Sequence, residues 1–132
     1  MTLRVMLVVP EGQVWAGNAE RLVAKTIDGD IGILTGHSPV IGILAPGSLV
    51  RILPEGASGS GWVQAAVGGG FLSVADNNIS VLAREAVLGA DVDTAAVRSE
   101  LSSAAADGQG DDENNARVVY LAAQLRAAGQ EV

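Results

Sequence analysis

A chain of 132 residues is long enough for one domain with a hydrophobic core, or for one core and a small appendage. An apolar fraction of 48% indicates a folded protein, and a net charge of −7 argues against binding to nucleic acid or to an anionic lipid surface. The chain has no cysteine, which excludes disulfides, thiolate metal sites and thiol catalysis.

The N-terminal two thirds of the chain combine short apolar runs with turn sequences, a pattern typical of β-strands. The dipeptide Gly17-Asn18 is predicted to close a hairpin, and residues 57–61 are predicted to form a flexible hairpin tip. The predicted strands are residues 3–9, 13–16, 19–27, 40–44, 47–53, 62–67, 71–75 and 79–84. They indicate an antiparallel β-sandwich or flattened barrel.

The C-terminal third becomes rich in alanine, and its apolar residues recur at helical spacing. Asp93 is predicted to cap a first helix, and Asp111 or Asp112 a second one that ends at Gly129. The apolar stripes are Val97, Leu101 and Ala104 on the first helix and Val118, Leu121, Ala122 and Leu125 on the second. Because both stripes are narrow, we expect a weakly packed, mobile helical hairpin.

The predicted elements divide the chain into a β-domain, residues 1–88, and a helical hairpin, residues 89–132. The negative charge is concentrated in the second part, since residues 91–132 hold eight acidic and three basic side chains. No apolar run approaches the roughly 20 residues that span a bilayer. The N-terminus enters a strand pattern without a signal or transit segment, so we expect a cytosolic protein.

The segment of residues 29–39, Gly-Asp-Ile-Gly-Ile-Leu-Thr-Gly-His-Ser-Pro, is apolar but interrupted by glycines and a proline. Such a loop either folds back onto its own core or is covered by another protein. His37, the only histidine, is interpreted as a loop residue bonded to backbone or to a partner, rather than as a metal ligand or a base.

The triplet Gly68-Gly69-Gly70 lacks the lysine and the following helix of a phosphate-binding loop. It is therefore interpreted as a strand kink or bulge, or as a place where a neighbouring chain packs close. The residues alone predict no catalytic group, no metal site and no cofactor.

Several segments resemble the epsilon subunits of bacterial F-type ATP synthases. Residues 3–12 look like the first strand and turn of that family. Residues 29–39 are similar to its signature Gly-Glu-(Ile/Leu)-Gly-Ile-Leu-Pro-Gly-His-x-Pro, with Asp30 in place of glutamate and Thr35 in place of proline. Residues 65–74 and 77–83 match the strand pair and the hairpin that follow.

The resemblance implies a β-sandwich of about ten strands and a C-terminal two-helix hairpin. It implies a non-catalytic subunit of the central stalk, bound to the gamma subunit and to the ring of c subunits. Such a subunit couples proton flow to ATP synthesis at the cytoplasmic face of the bacterial plasma membrane, which it reaches only through the complex. The contact loop for the c-ring or gamma would comprise Asp30, Ile31, Gly32, Ile33, Leu34, His37 and Pro39.

In this family the hairpin can also contact the catalytic alpha and beta subunits and restrain ATP hydrolysis through basic residues of its second helix. Here that helix offers only Arg117 and Arg126, so we expect weak restraint. The family's ATP-binding motif keeps Asp93, but Ala96 stands where its arginine belongs. Arg98 lies about 200° around the helix from that position, so we expect weak or absent ATP binding.

Two other interpretations stay open from the sequence. One is a free-standing β-sandwich module whose glycine-rich loops bind a small ligand. The other is a hydrolase that uses His37 with a carboxylate.

Overall fold

The computed structural model describes residues 2–56, 61–107 and 112–129, and for residues 105–107 and 112–115 it describes the backbone alone. The strands are β1 (Leu3–Val9), β2 (Gly12–Thr26), β3 (Gly29–Leu34), β4 (Val40–Leu44), β5 (Ser48–Pro54), β6 (Val63–Val67), β7 (Gly70–Ala75), β8 (Asn78–Ala83) and β9 (Ala86–Leu88). A 3-10 turn (Gly89–Asp91) leads to the helices α1 (Thr94–Asp107) and α2 (Asp112–Ala127). Neither helix, within these bounds, is long and apolar enough to cross a membrane.

The strands form two layers that share β2, whose 15 residues are enough to run through both. In the first layer, the first half of β2 pairs with β1, and beyond β1 the layer continues with β8, β7 and β4 in that order. The second half lies between β3 and β5, and β6 and β9 follow beyond β5. The fold is therefore mainly β with a helical hairpin, as the sequence predicts.

The core lies between the two layers and consists of aliphatic side chains from alternate strand positions. In β1, for example, Leu3, Val5 and Leu7 are fully buried, whereas the residues between them face outward. The other large buried members are Leu22, Ile33, Leu44, Val50, Ile52, Leu72 and Ile79. Where burial alternates in this way it fixes the register, since a slip of one residue would turn the apolar set toward solvent.

The predicted hairpin at Gly17-Asn18 is wrong, because β2 continues straight through both residues. Gly17 pairs with Val5, and neither residue has a positive φ. The missing side chain at Gly17 instead leaves room for the Trp15 ring, because a Cβ at this position would lie 3.1 Å from Cη2 of Trp15.

Three further differences concern strand number and direction. Nine strands are present in the described residues, against about ten expected. Residues 29–34 form strand β3 rather than a loop, and β1 pairs with β8 in parallel, so the sandwich is not purely antiparallel. The predicted hairpin tip falls largely on residues 57–60, outside the described part of the chain.

The helix signals near Asp93 and Gly129 are confirmed. Asp93 Oδ1 accepts a hydrogen bond from the backbone N–H of Ala96 at 3.1 Å, which caps α1. Gly129 has φ of +82°, and its N–H donates to the carbonyl of Arg126 at 3.0 Å beyond the end of α2. The predicted cap of the second helix involves side chains outside the described set.

Helix α2 has two buried faces, although the sequence indicates one. Leu121 and Leu125 pack against Val97 of α1, as predicted. A second face of α2 packs on the outer side of β5, β6 and β9. The helix contributes Tyr120, Ala123 and Ala127, and the strands contribute Ala66, Leu49 and Val87. The expectation of a weakly packed hairpin is therefore corrected, because alanines can bury a helix face by allowing close approach.

Gly47 of the β-domain and Gly89 of the 3-10 turn allow that approach. A Cβ at Gly47 would overlap Val119 of α2, and a Cβ at Gly89 would overlap the carbonyl oxygen of Ala127. Any side chain at either position would push α2 away from the sheet.

We expect Tyr120, the only tyrosine, to titrate near pH 12 in the folded protein. Burial, followed by the nearby Glu85 carboxylate, raises its pKa from 10.0 to about 12, although Arg117 lowers it somewhat. Because the folded state favours the neutral phenol, its contribution to stability is complete below pH 10 and is lost as the pH rises through about 12. Ultraviolet absorbance of tyrosinate measures the midpoint.

The reference is the unfolded chain in denaturant, in which Tyr120 should titrate with a midpoint near the ordinary tyrosine pKa of about 10. The Tyr120→Phe variant should lack the loss of stability between these two pH values. A folded-state midpoint equal to that of the unfolded chain would contradict the docked position of α2.

Candidate interaction surfaces

The segment of residues 29–39 begins as the second strand of a tight hairpin with β2. Thr26 Oγ1 donates to the carbonyl of Gly29 at 2.8 Å and accepts from the N–H of Asp28 at 3.2 Å. Gly29 has φ of +121°, a conformation that favours glycine. The hairpin places Asp30 opposite Lys25 on the outer face.

The structure divides the predicted contact residues into two groups. Ile33 is fully buried and Ile31 packs against the same core, so these two fold back onto their own domain. Asp30, Gly32 and Leu34 face outward, and the Leu34 side chain is 54% exposed. Strand alternation explains the division, because successive residues of β3 point to opposite faces.

His37 and Pro39 follow β3, at the end of the strand opposite to Asp30. His37 Nδ1 lies 2.6 Å from the carbonyl oxygen of Ser38, and the backbone N–H of His37 donates to the carbonyl oxygen of Leu34 at 3.2 Å. His37 is thus bonded to backbone, one of the two possibilities that the sequence indicates. Among the described residues, no cluster of acidic residues and histidine suited to a metal ion occurs.

Asn77 fastens the loop at residues 35–39 to the rest of the β-domain. Its Oδ1 accepts the backbone N–H of Gly36 at 2.7 Å, and its carbonyl accepts the N–H of Arg4 at 2.8 Å. Asp76 and Asn77 both have positive φ, which short polar side chains tolerate. One β-turn thus positions both the loop and the start of β1.

An exposed apolar face covers the outer side of the layer formed by β4, β7, β8 and β1. Ile43, Phe71, Leu82 and Val8 lie side by side across the four strands, by strand register. Ile41 and Met6 extend the face, and the exposed fractions are 74% for Ile41, 56% for Ile43 and 43% for Phe71. An apolar groove of about 510 Å³ runs along it.

This apolar face is absent from the predictions made from the sequence. The signal is present in β4, where Ile41 and Ile43 are apolar on the face opposite to the buried Leu44. A strand that is apolar on both sides is buried on both sides or covered by a partner. In this structure one side of β4 is open to solvent.

The glycine triplet forms the close connection between β6 and β7. The N–H of Gly68 donates to the carbonyl of Glu85 at 2.9 Å, and the N–H of Arg84 donates to the carbonyl of Gly69 at 3.0 Å. Gly70 has φ of +137°, and a Cβ there would overlap the carbonyl oxygen of Leu82. The triplet is therefore a site of close packing between strands of the same chain, and packing against a neighbouring chain stays a prediction.

The two arginines of α2 differ in their surroundings. Arg117 forms an ion pair with Glu100 of α1 at 2.6 Å, with both side chains about half exposed. Arg126 lies in the last turn of α2, beside Lys25 and Arg51 of the β-domain. The acid of the predicted nucleotide motif, Asp93, is used as a helix cap.

Comparisons with known proteins agree with this architecture. Residues 2–89 match the family model described as "ATP synthase, Delta/Epsilon chain, beta-sandwich domain". The chain is 48% identical over 130 residues to the ATP synthase epsilon chain of Thermobifida fusca, covering 98% of this chain and 93% of that one. It is 40% identical over 124 residues to the epsilon chain of Streptomyces avermitilis, covering 94% and 97%.

A solved structure has the same fold. A chain in the cryo-EM structure of Euglena gracilis mitochondrial ATP synthase, titled "OSCP/F1/c-ring in rotational state 1", superposes with a TM-score of 0.78. The two chains are 23% identical, and the match covers 98% of this chain and 82% of the other.

Proposed function

Because the chain belongs to the ATP synthase epsilon chain family, we propose that it is a non-catalytic subunit of the central stalk. In this role it joins the gamma subunit to the c-ring and couples proton flow to ATP synthesis at the cytoplasmic face of the plasma membrane. Residues 1–88 provide the docking domain, and residues 89–132 form a regulatory arm. Family membership favours this role over a free-standing ligand-binding module or a hydrolase.

The observation that carries the proposal is the apolar face with Ile41, Ile43 and Phe71 at its centre. Covering this face with a partner removes apolar surface from water, at roughly 25 cal/mol per Å² buried. A coiled coil with an apolar stripe, as expected for gamma, supplies such a surface. The loop carrying His37 and Pro39 leads directly into β4, so it lies beside the same partner.

The opposite end of β3 supports the proposed contact with the c-ring. Asp30 is exposed there and forms no ion pair with another described side chain. The neighbouring Ile27 is also exposed, at the turn between β2 and β3. A carboxylate beside an apolar side chain suits a polar ring loop that contains a basic residue.

The regulatory arm is proposed to restrain ATP hydrolysis only weakly. Contact with an acidic surface of the catalytic subunits would depend on Arg117 and Arg126. Arg117 is already paired with Glu100, which leaves little positive charge on α2 for a partner. The docked position of α2 also favours weak restraint. A helix that left the sheet to contact the catalytic subunits would expose Ala66, Leu49 and Val87.

We expect a chain ending at Leu88 to leave the rate of ATP hydrolysis by the purified synthase unchanged and its coupling intact. The comparison uses synthase reassembled with the full or the shortened subunit, and measures hydrolysis together with ATP-driven proton pumping. The amount of subunit incorporated is determined in both preparations, because truncation uncovers the apolar side of β5 and β6. A faster hydrolysis rate at equal incorporation would contradict weak restraint, and absence of either form from the synthase would contradict the proposed role.

A further inference from the structure

A groove of about 570 Å³ separates α2 from the part of the sheet that the helix does not cover. Val23 and Leu49 form its floor, and Val119 and Ala123 of α2 form one wall. The turn between β4 and β5 closes one end, where Ser48 Oγ donates to the carbonyl of Ala45 at 2.6 Å. Its walls therefore belong to both the β-domain and the helical hairpin.

Three cations line this groove, one from each of three elements: Lys25 of β2, Arg51 of β5 and Arg126 of α2. Arg51 is opposite Val23 in register, and Lys25 lies two residues further along the same face. Diagonal neighbours of this kind have Cβ atoms about 7–8 Å apart. The two cations of the sheet are therefore close enough to bind one small anion together.

The three cations are not neutralised within the described part of the chain. None of them forms an ion pair with another described side chain, in contrast to Arg117 on the outer side of α2. The one carboxylate in the groove, that of Asp30, is opposite Lys25 in register but forms no ion pair with it. Arg51 is held in place by Trp62, with its guanidinium carbon 5.0 Å from the ring centroid.

A groove whose described lining holds three cations and one carboxylate is unexpected in a chain with a net charge of −7. Like charges that converge in a concave site repel each other and attract counter-ions from solution. The forked guanidinium groups of two arginines are suited to bidentate binding of phosphate or carboxylate oxygens. We infer that the groove binds a compact multivalent oxyanion, which bridges the β-domain and α2 and thereby holds the hairpin docked.

This inference goes beyond the stalk role, since it depends on the docked hairpin and not on assembly into the synthase. The test uses the full chain and two probes, pyrophosphate and citrate, titrated by calorimetry at a fixed ionic strength of about 0.15 M, where non-specific surface binding is screened. We expect saturable binding of one anion per chain. The tighter of the two probes identifies a phosphate or a carboxylate ligand.

The variants Arg51→Gln and Arg126→Gln are each expected to weaken binding by about tenfold or more, because each removes a charge-assisted bidentate contact. Arg117→Gln is the matched control on the same helix and should bind as the wild type does. The two test variants change different elements, so a folding defect in one leaves the other informative.

Hydrogen exchange of the α2 amides tests the bridging role. The anion should slow exchange in the wild type and in Arg117→Gln, but not in Arg126→Gln. The inference is overturned if neither probe binds saturably, if Arg117→Gln weakens binding as much as Arg126→Gln, or if the bound anion leaves α2 exchange unchanged.

Discussion

Replacing both Ile43 and Phe71 by aspartate is expected to abolish incorporation of the subunit into ATP synthase. The two side chains are neighbours in register and are 56% and 43% exposed, so the isolated chain should fold normally. In the assembled complex the variant would bury two unpaired carboxylates in an apolar contact, at a cost of several kcal/mol. Since each 1.4 kcal/mol is about tenfold in affinity, binding at cellular concentrations should be lost.

Reassembly of synthase with excess subunit, followed by measurement of bound subunit and of ATP-driven proton pumping, tests this expectation. Ser102→Asp is the control, because it adds a carboxylate at an exposed position of α1, far from the apolar face. Normal incorporation of the Ile43→Asp, Phe71→Asp double variant would exclude this face as the stalk contact. The other exposed apolar residues, such as Leu34, would then be the next surface to test.

Replacing Gly70 by alanine is expected to lower the free energy of unfolding by about 2–5 kcal/mol, through backbone strain and steric overlap together. Gly70 has φ of +137°, which L-residues rarely adopt. The added methyl group would overlap the carbonyl oxygen of Leu82 and lie 2.7 Å from Cα of Ala83. Both atoms belong to the paired strand β8, so relief requires β7 and β8 to separate.

Urea unfolding measures the loss, and Gly12→Ala separates its two causes. Gly12 has a similar φ of +144°, but a Cβ there meets no atom within 4 Å. We therefore expect Gly12→Ala to cost only about 1 kcal/mol, from backbone strain alone. Equal losses in the two variants would mean that the close approach of β7 and β8 is unimportant for stability.

The strand pattern could be predicted from the sequence because aliphatic alternation is local. Leu3, Val5 and Leu7 already show in one heptapeptide which face of β1 is buried. By contrast, Gly17-Asn18 looks like a turn, and only the ring of Trp15 explains why a glycine lies within a strand. A glycine in the sequence shows which backbone conformations are allowed, but it does not show whether the position is a turn or a close packing contact.

The candidate contact loop was predicted in part. Its position could be predicted from the pattern of residues 29–39, but its burial could not. Ile31 and Ile33 looked available to a partner because the glycines around them suggested a loop, and pairing with β2 turns them inward. The apolar face was missed for a related reason, since Ile43 and Phe71 come from strands that become neighbours only through the topology.

The parallel pairing of β1 with β8 has a consequence for how the protein reaches its native state. Arg4 pairs with Asn78, so the first strand gains its second neighbour only when most of the β-domain has left the ribosome. Until then one edge of β1 stays open, and an open apolar edge invites pairing with other chains. Non-local pairing of this kind also slows folding, typically to about milliseconds to seconds. The β-domain must therefore complete its folding late in synthesis, before it can bind any other subunit.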